Sequence, residues 1–240
     1  MCDGCFFKGM IIIKTIISYF SKFEILLWSF SVVIISVFFS LFDRNNYLSL
    51  IASLIGVTSL IFCAKGNPIG QILMIIFSLF YGYISYSFAY FGEMITYLGM
   101  TAPMALISLI SWLRNPFKGK KSEVEVNNIS KREICFSIIL TAIVTFVFYF
   151  ILKYFNTANL IPSTISVTTS FLAAYLTFRR SPYFAFVYSL NDIVLIILWI
   201  MAAIKDVSYI SVIVCFVVFY INDMYVFISW KKMQIKQAKN

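Results

Sequence analysis

The chain has 240 residues, 61% hydrophobic and 12% charged, with a mean hydropathy of +0.92; soluble domains sit near roughly half apolar and one quarter charged, so this is an integral membrane protein. The net charge of +9 is no nucleic-acid signature, because the basic residues sort by membrane side. Five cysteines and no histidine exclude a Ser-His-Asp triad and a histidine proton relay, and the lone Cys2-x-x-Cys5 pair lacks the second pair that a zinc site needs.

In chain order, residues 1–23 form a cytoplasmic N-terminus. Met10–Phe23 sets Lys14 and Lys22 among isoleucines and aromatics, and reads as an amphipathic helix at the inner interface rather than a signal peptide. Eight apolar runs follow, at about 24–42, 47–64, 69–91, 94–112, 133–155, 160–178, 183–204 and 207–230. Each can cross roughly 30 Å of hydrocarbon once tilt is allowed. Runs of this length without alternation predict helices rather than a barrel, so the expected fold is all-α and membrane-embedded.

Two stretches repeat each other. Gly56–Pro68 (GVTSLIFCAKGNP) set against Ser170–Pro182 (SFLAAYLTFRRSP) puts Lys65 opposite Arg179 and Pro68 opposite Pro182. Each proline leads into an aromatic-rich run, a turn, a further apolar run and the endings Ile110-Ser111-Trp112 and Ile228-Ser229-Trp230. Residues 47–112 and 160–230 are thus two three-helix repeats. The extra helix at 24–46 precedes them, and a linker helix at 133–159 restores the orientation between them, giving a 3+1+3 core. Residues 113–132 are a polar cytoplasmic loop, expected to be mobile, and 231–240 a basic cytoplasmic tail. With eight spans, 16 basic residues fall on the terminal side and only Arg44, Lys153 and Lys205 on the other, which places both termini in the cytoplasm. Duplicated bundles of this kind are a transporter plan, with the solute held between the halves.

Ionisable residues inside spans are functional candidates, since burying a charge costs about 2.5–3.5 kcal/mol on insertion scales. Asn191-Asp192 in helix 7 and Asn222-Asp223 in helix 8 stand out. At 1.5 Å per residue, Asp192 lies roughly 14 Å and Asp223 about 10 Å from the cytoplasmic end. Such pairs either tie neighbouring helices together or face a solute, and both uses can coexist. Tyr188, Asn191, Asp192, Leu195 and Trp199 share a face of helix 7, and Asn222 lies over Tyr225 and Ser229 on helix 8. An aromatic ring beside amides and carboxylates suits a flat polar or cationic solute. In helix 4, Tyr97, Thr101, Met104, Ser108 and Ser111 form a mixed stripe that Pro103 can kink, and such a stripe more often serves helix packing. Trp112 and Trp230, next to cationic residues, read as interfacial anchors.

The segments GNPIGQILMIIFSLFYGYISY, YFGEMITYLGMTAPMALISLISWLRNPFKG, RRSPYFAFVYSLNDIVLIILW and YINDMYVFISWKK resemble the PnuC family of nicotinamide riboside transporters, over about Ser49–Lys232. The resemblance implies a SWEET-like 3+1+3 fold in the plasma membrane and homotrimeric assembly. It also implies facilitated diffusion of an NAD precursor with alternating access, trapped by cytoplasmic phosphorylation. Many members carry tryptophans ahead of the helix 7 asparagine, where this chain has Tyr188; a common glycine is Val226 here, and a common glutamine is Ala105. These departures leave thiamine, riboflavin or a deoxynucleoside open as the solute, and proton coupling through Asp192 or Asp223 open as the driving force.

The expected substrate-binding set is Tyr188, Asn191, Asp192, Trp199, Asn222, Asp223, Tyr225 and Thr101, with no catalytic residue, metal or cofactor. No span carries a basic residue in its middle, so a buried phosphate would lack its counter-charge. An unphosphorylated cation fits better. A membrane enzyme has little to work with here, and a receptor or structural protein would bind without translocating.

Overall fold

A computed structural model describes residues 19–87, 91–157 and 159–239. Most of the expected amphipathic segment, Cys2 and Cys5 lie outside them. Among the described residues, eight helices are long and apolar enough to cross a membrane. They are α1 (Lys22–Phe42), α2 (Tyr47–Ala64), α3 (Ile69–Ser87), α4 (Phe91–Arg114), α5 (Lys131–Tyr154), α6 (Leu160–Phe178), α7 (Tyr183–Ala203) and α8 (Ile210–Ala238). A short hairpin of β1 (Pro116–Phe117) and β2 (Lys120–Val124) lies between α4 and α5.

Six helices close a ring. α2 packs on α3, α3 on α4, α4 on α6, α6 on α7, α7 on α8, and α8 returns to α2. The third helix of each three-helix unit therefore meets the first helix of the other. α1 lies outside the ring against α2 and α8, and α5 outside it against α6 and the start of α4.

Local chemistry at the basic end is the same in both units. α2 and α6 each end in a Schellman turn. Gly66 and Arg180 take left-handed φ of 64° and 58°, and the N–H groups of Asn67 and Ser181 return to the carbonyls of Phe62 and Leu176. Cys63 O and Thr177 O accept from the N–H groups of Gly66 and Arg180, but Ala64 O and Phe178 O are left without a backbone donor, since Pro68 and Pro182 stand four residues on. The opposite unit supplies side-chain donors. Ser229 Oγ donates to Ala64 O (2.7 Å) and Trp230 Nε1 to Cys63 O (2.7 Å), while Ser111 Oγ donates to Phe178 O (2.8 Å) and Trp112 Nε1 to Thr177 O (2.9 Å). The two indoles meet at 5.3 Å between ring centroids, and both are essentially inaccessible. Trp112 and Trp230 are therefore not anchors facing lipid headgroups, because their N–H groups are drawn inward to cap backbone carbonyls.

The outer helices share a device too. Ser21 and Glu24 make a capping box on α1, and Ser130 and Glu133 make one on α5. Each glutamate then pairs with the basic residue ending the next helix, Glu24 with Lys65 at 3.1 Å and Glu133 with Arg179.

The segment between α4 and α5 is expected to be mobile, yet it is fastened across the basic end. Val124 N donates to Gly66 O and Asn127 N to Arg180 O, both at 3.0 Å. Gln237 of α8 accepts from Val126 N and donates to Val124 O and Glu123. Val124 is fully buried. The polar composition of the loop hides this, because the backbone rather than the side chains makes most of the contacts.

In α4, Pro103 cannot donate to the carbonyl four residues back, and the helix widens into a π turn over Tyr97–Thr101 just before it. α2 and α3 approach closely at Gly70, whose carbonyl accepts from Ser59 Oγ at 2.8 Å. A Cβ there would meet Cys63 Sγ at 2.5 Å and the Cys63 backbone nitrogen at 2.9 Å, whereas one at Gly82 would meet only the Leu98 side chain. Gly70→Ala should lower the thermal midpoint of the detergent-purified protein by several degrees, an overpacking cost of about 1–3 kcal/mol. Gly82→Ala should cost less, because a leucine can move and a backbone cannot. Equal midpoints for the two variants would contradict this packing.

Candidate functional site

The ring encloses a cavity of about 140 Å³ lined by all six of its helices. One water needs only about 10–15 Å³ on this measure, so the space is that of a small organic solute. Its apolar wall is aromatic, with Phe77, Phe184, Phe216 and Phe219, and a glycine opens it. A Cβ on Gly56 would lie 2.6 Å from Phe219 Cζ.

The polar wall comes chiefly from α7. Asn191 and Asp192 are neighbours in sequence, so their side chains leave the helix about 100° apart. Asn191 turns toward α6, where its Oδ1 accepts from Ser166 Oγ (3.0 Å) and Thr169 Oγ1 (2.8 Å). With that oxygen held, the amide NH₂ is the group left for the cavity. Asp192 turns toward α8 and meets Asp223. Both carboxyls are about 95% buried, and Asp192 Oδ2 and Asp223 Oδ1 have no hydrogen-bond partner. Two carboxyls with unpartnered oxygens, lining one cavity, are acceptors that a cationic or hydrogen-bonding solute can meet.

The structure brings Tyr188, Asn191, Asp192, Trp199, Asp223 and Thr101 around this one cavity. Tyr188 sits one turn below Asp192, and Trp199 packs on Tyr209 at 5.1 Å. Asn222 and Tyr225 stand elsewhere. Three residues apart on α8, they share the face that meets α1. Asn222 Nδ2 donates to Ser31 Oγ (3.0 Å) and Val218 O (2.8 Å), and the Tyr225 hydroxyl donates to Glu24 Oε1 (3.0 Å). α8 is sandwiched between α7 and α1, so adjacent residues of one Asn-Asp pair serve different neighbours.

The cavity also holds residues that sequence reasoning did not single out, Glu93 and Gln71 foremost. The Gly-Glu-Met signal was present, but an apolar run begun at residue 94 leaves Glu93 in a connection. α4 begins at Phe91 and places Glu93, half-buried, in the cavity lining. On α3, Tyr81 is buried with its hydroxyl 3.4 Å from Ser53 Oγ, while Tyr83 and Tyr86 face outward. Among the cavity-lining residues three are acidic and none is Lys or Arg.

The model of a family described as nicotinamide mononucleotide transporter matches residues 46–232. A nicotinamide riboside transporter PnuC from Neisseria mucosa is 22% identical over 196 residues, covering 80% of this chain and 74% of that protein. A solved structure titled as a crystal structure of the vitamin B3 transporter PnuC matches with a TM-score of 0.78 at 22% identity, covering 91% of this chain and 94% of that one. At that identity the likeness is one of fold.

Asn222 and Ser31 form one contact between α8 and α1. Asn222→Ala and Ser31→Ala should each lower the thermal midpoint, at a cost of about 0.5–1.5 kcal/mol for the lost hydrogen bond, because Ser31 Oγ still donates to Leu27 O and Asn222 Nδ2 to Val218 O. The double variant should lose less than the sum. Additive losses would mean that the two side chains do not act on one another.

Proposed function

The chain belongs to the family described as nicotinamide mononucleotide transporters, and from that premise we propose that it carries the unphosphorylated nucleoside, nicotinamide riboside, across the membrane. The observation that carries this reading is the cavity's charge: three carboxylates and, among the described residues, no basic side chain. A mononucleotide would bury a phosphate there with no Arg or Lys to meet it. The riboside's pyridinium ring is cationic and flat, which suits carboxylates on one side and aromatic faces on the other. The name of the Neisseria mucosa relative points the same way.

In this reading the Tyr188 ring stacks on the pyridinium. Asp192 and Asp223 neutralise it, the Asn191 amide binds a ribose hydroxyl or the carboxamide oxygen, and Thr101 and Trp199 complete the enclosure. Asn222 and Tyr225 act at one remove, holding α1 against α8. Movement is facilitated diffusion with alternating access, one three-helix unit rocking against the other. The basic end faces the cytoplasm by the distribution of Lys and Arg, and phosphorylation there traps the product. The capped, strapped basic end fits a state closed on that side.

A second reading of the driving force rests on the same aspartates. A proton shared by Asp192 and Asp223 could be released as a cation binds, which would couple uptake to pH.

Purified protein in sealed liposomes should take up nicotinamide riboside saturably, while the mononucleotide neither enters nor competes. Tyr188→Ala should cut uptake at least tenfold, in line with the loss of a desolvated cation–π contact of about 2 kcal/mol. Uptake of the mononucleotide at a similar rate would reject the riboside assignment. Dependence on an imposed pH gradient that vanishes in Asp192→Asn and Asp223→Asn would favour coupling over diffusion.

A further inference from the structure

Glu93 is the cavity carboxylate not given a role above. It is the third residue of α4, at the end of the bundle opposite the basic one. Asp192 lies eleven residues from that end of α7, so the two levels differ by roughly 13 Å along the helix axes at 1.5 Å per residue. Glu93, Tyr97 and Thr101 follow at i, i+4 and i+8, and all three line the cavity. They make a polar track from its outer end toward the aspartates.

The start of α4 is held so that Glu93 stays on that track. Gly92 lies hard against the connection between α5 and α6, where a Cβ would come 2.2 Å from Thr157 Oγ1 and 2.9 Å from Leu152 Cδ2. Thr157 Oγ1 is buried without a partner, and it too lines the cavity. Among the described residues, neither a cation nor a hydrogen-bond donor meets the Glu93 carboxylate. A carboxylate with no partner among the described residues and a hydroxyl without one, together near the outer end of the cavity, are a place for a charged and hydrogen-bonding solute.

We propose that Glu93 is a charge-selecting residue of the outer mouth, receiving the cationic ring of an entering solute before it settles against Asp192 and Asp223. The assignment rests on the reading of the cargo as a flat organic cation. It separates two levels of recognition, with Glu93 governing admission and the aspartates with Tyr188 governing occupancy.

Glu93→Gln keeps size and hydrogen bonding and removes the charge. In liposomes, nicotinamide riboside should show KM raised at least fivefold with kcat within twofold of the parent. The uncharged dihydro form of the same nucleoside should be handled alike by parent and variant. An unchanged KM for the cation, or an equal change for both forms, would overturn the assignment. If the parent carries neither form, the cargo reading fails and this assignment falls with it. Thr157→Val, which leaves the charge, should not reproduce the discrimination between the two forms, and its doing so would also overturn the assignment.

A second inference stands on different observations and on no particular solute. Gly66 and Arg180 occupy matching positions in the two sequence copies, and their carbonyls accept one hydrogen bond each from the N–H groups of Val124, at the end of β2, and Asn127 just beyond it. The segment from β2 onward, with α5, is the covalent link between the units, and it crosses between them where the two Ser-Trp pairs cap the opposite helix ends. We infer that residues 120–128 form a bolt which must leave one unit before the basic end of the cavity opens. Gln237 is its fastening, through Val124, Val126 and Glu123.

Cys63 reports on this directly, because it lines the cavity, is 2% exposed, and has its carbonyl capped by Trp230. With Cys2, Cys5, Cys135 and Cys215 replaced by serine or alanine, a membrane-impermeant maleimide applied to the basic side should label Cys63 slowly. Gln237→Ala and Gln237→Glu should each raise that rate at least threefold, with thermal midpoints confirming folded protein. A labelling rate unchanged in both variants would overturn the inference.

Discussion

The carbonyls that end α2 and α6 must find donors, and each finds them in the opposite three-helix unit. Helix ends inside a membrane protein have little access to water, so unsatisfied groups there are costly. Ser111-Trp112 and Ser229-Trp230 meet the requirement reciprocally, each pair closing the helix that starts the other unit. Because both indoles also touch one another, the contact fixes the spacing of the two units at the basic end. Phe184, which lines the cavity, packs on both indoles, at 6.4 Å from Trp112 and 4.9 Å from Trp230 between ring centroids.

The helices outside the ring follow from the same economy of groups. A capping-box glutamate already sits at the first turn of α1 and of α5, close to the basic residue at the end of the next helix. One carboxylate therefore serves a helix start and a helix end together. The two outer helices then diverge. α1 takes Asn222 and Tyr225 from α8, whereas α5 meets α6 through Thr145 and Thr168 at 2.9 Å. Symmetry in the backbone frame leaves room for asymmetry in the polar contacts, and the cavity uses that room, since its aspartates come only from α7 and α8.

Burial explains why the site is confined to so few residues. Lipid cannot solvate a carboxylate, so acids survive in these helices only where a neighbour, a solute or a proton answers them. Glu24 and Glu133 are answered by Lys65 and Arg179. Among the described residues, Asp192, Asp223 and Glu93 have no cation beside them, and all three face the one cavity. The separation of paired from unpaired acids marks framework from site.

Eight spans, their boundaries within about four residues except the end of α8, which runs on through the expected tail to Ala238, the matching of Lys65 with Arg179 and the ionisable pairs of helices 7 and 8 could all be read along the chain, because hydropathy and spacing are local. Which flank of α8 each polar residue faces could not, because 222 and 223 differ by one step of the helix and only the packing of α1 and α7 decides between them. Nor could the inward turn of Trp112 and Trp230, the fastening of the 116–128 segment by backbone groups, or the reach of Glu93 into the bundle. Those depend on which helix end or backbone lies opposite, a relation that exists only once distant parts of the chain have come together.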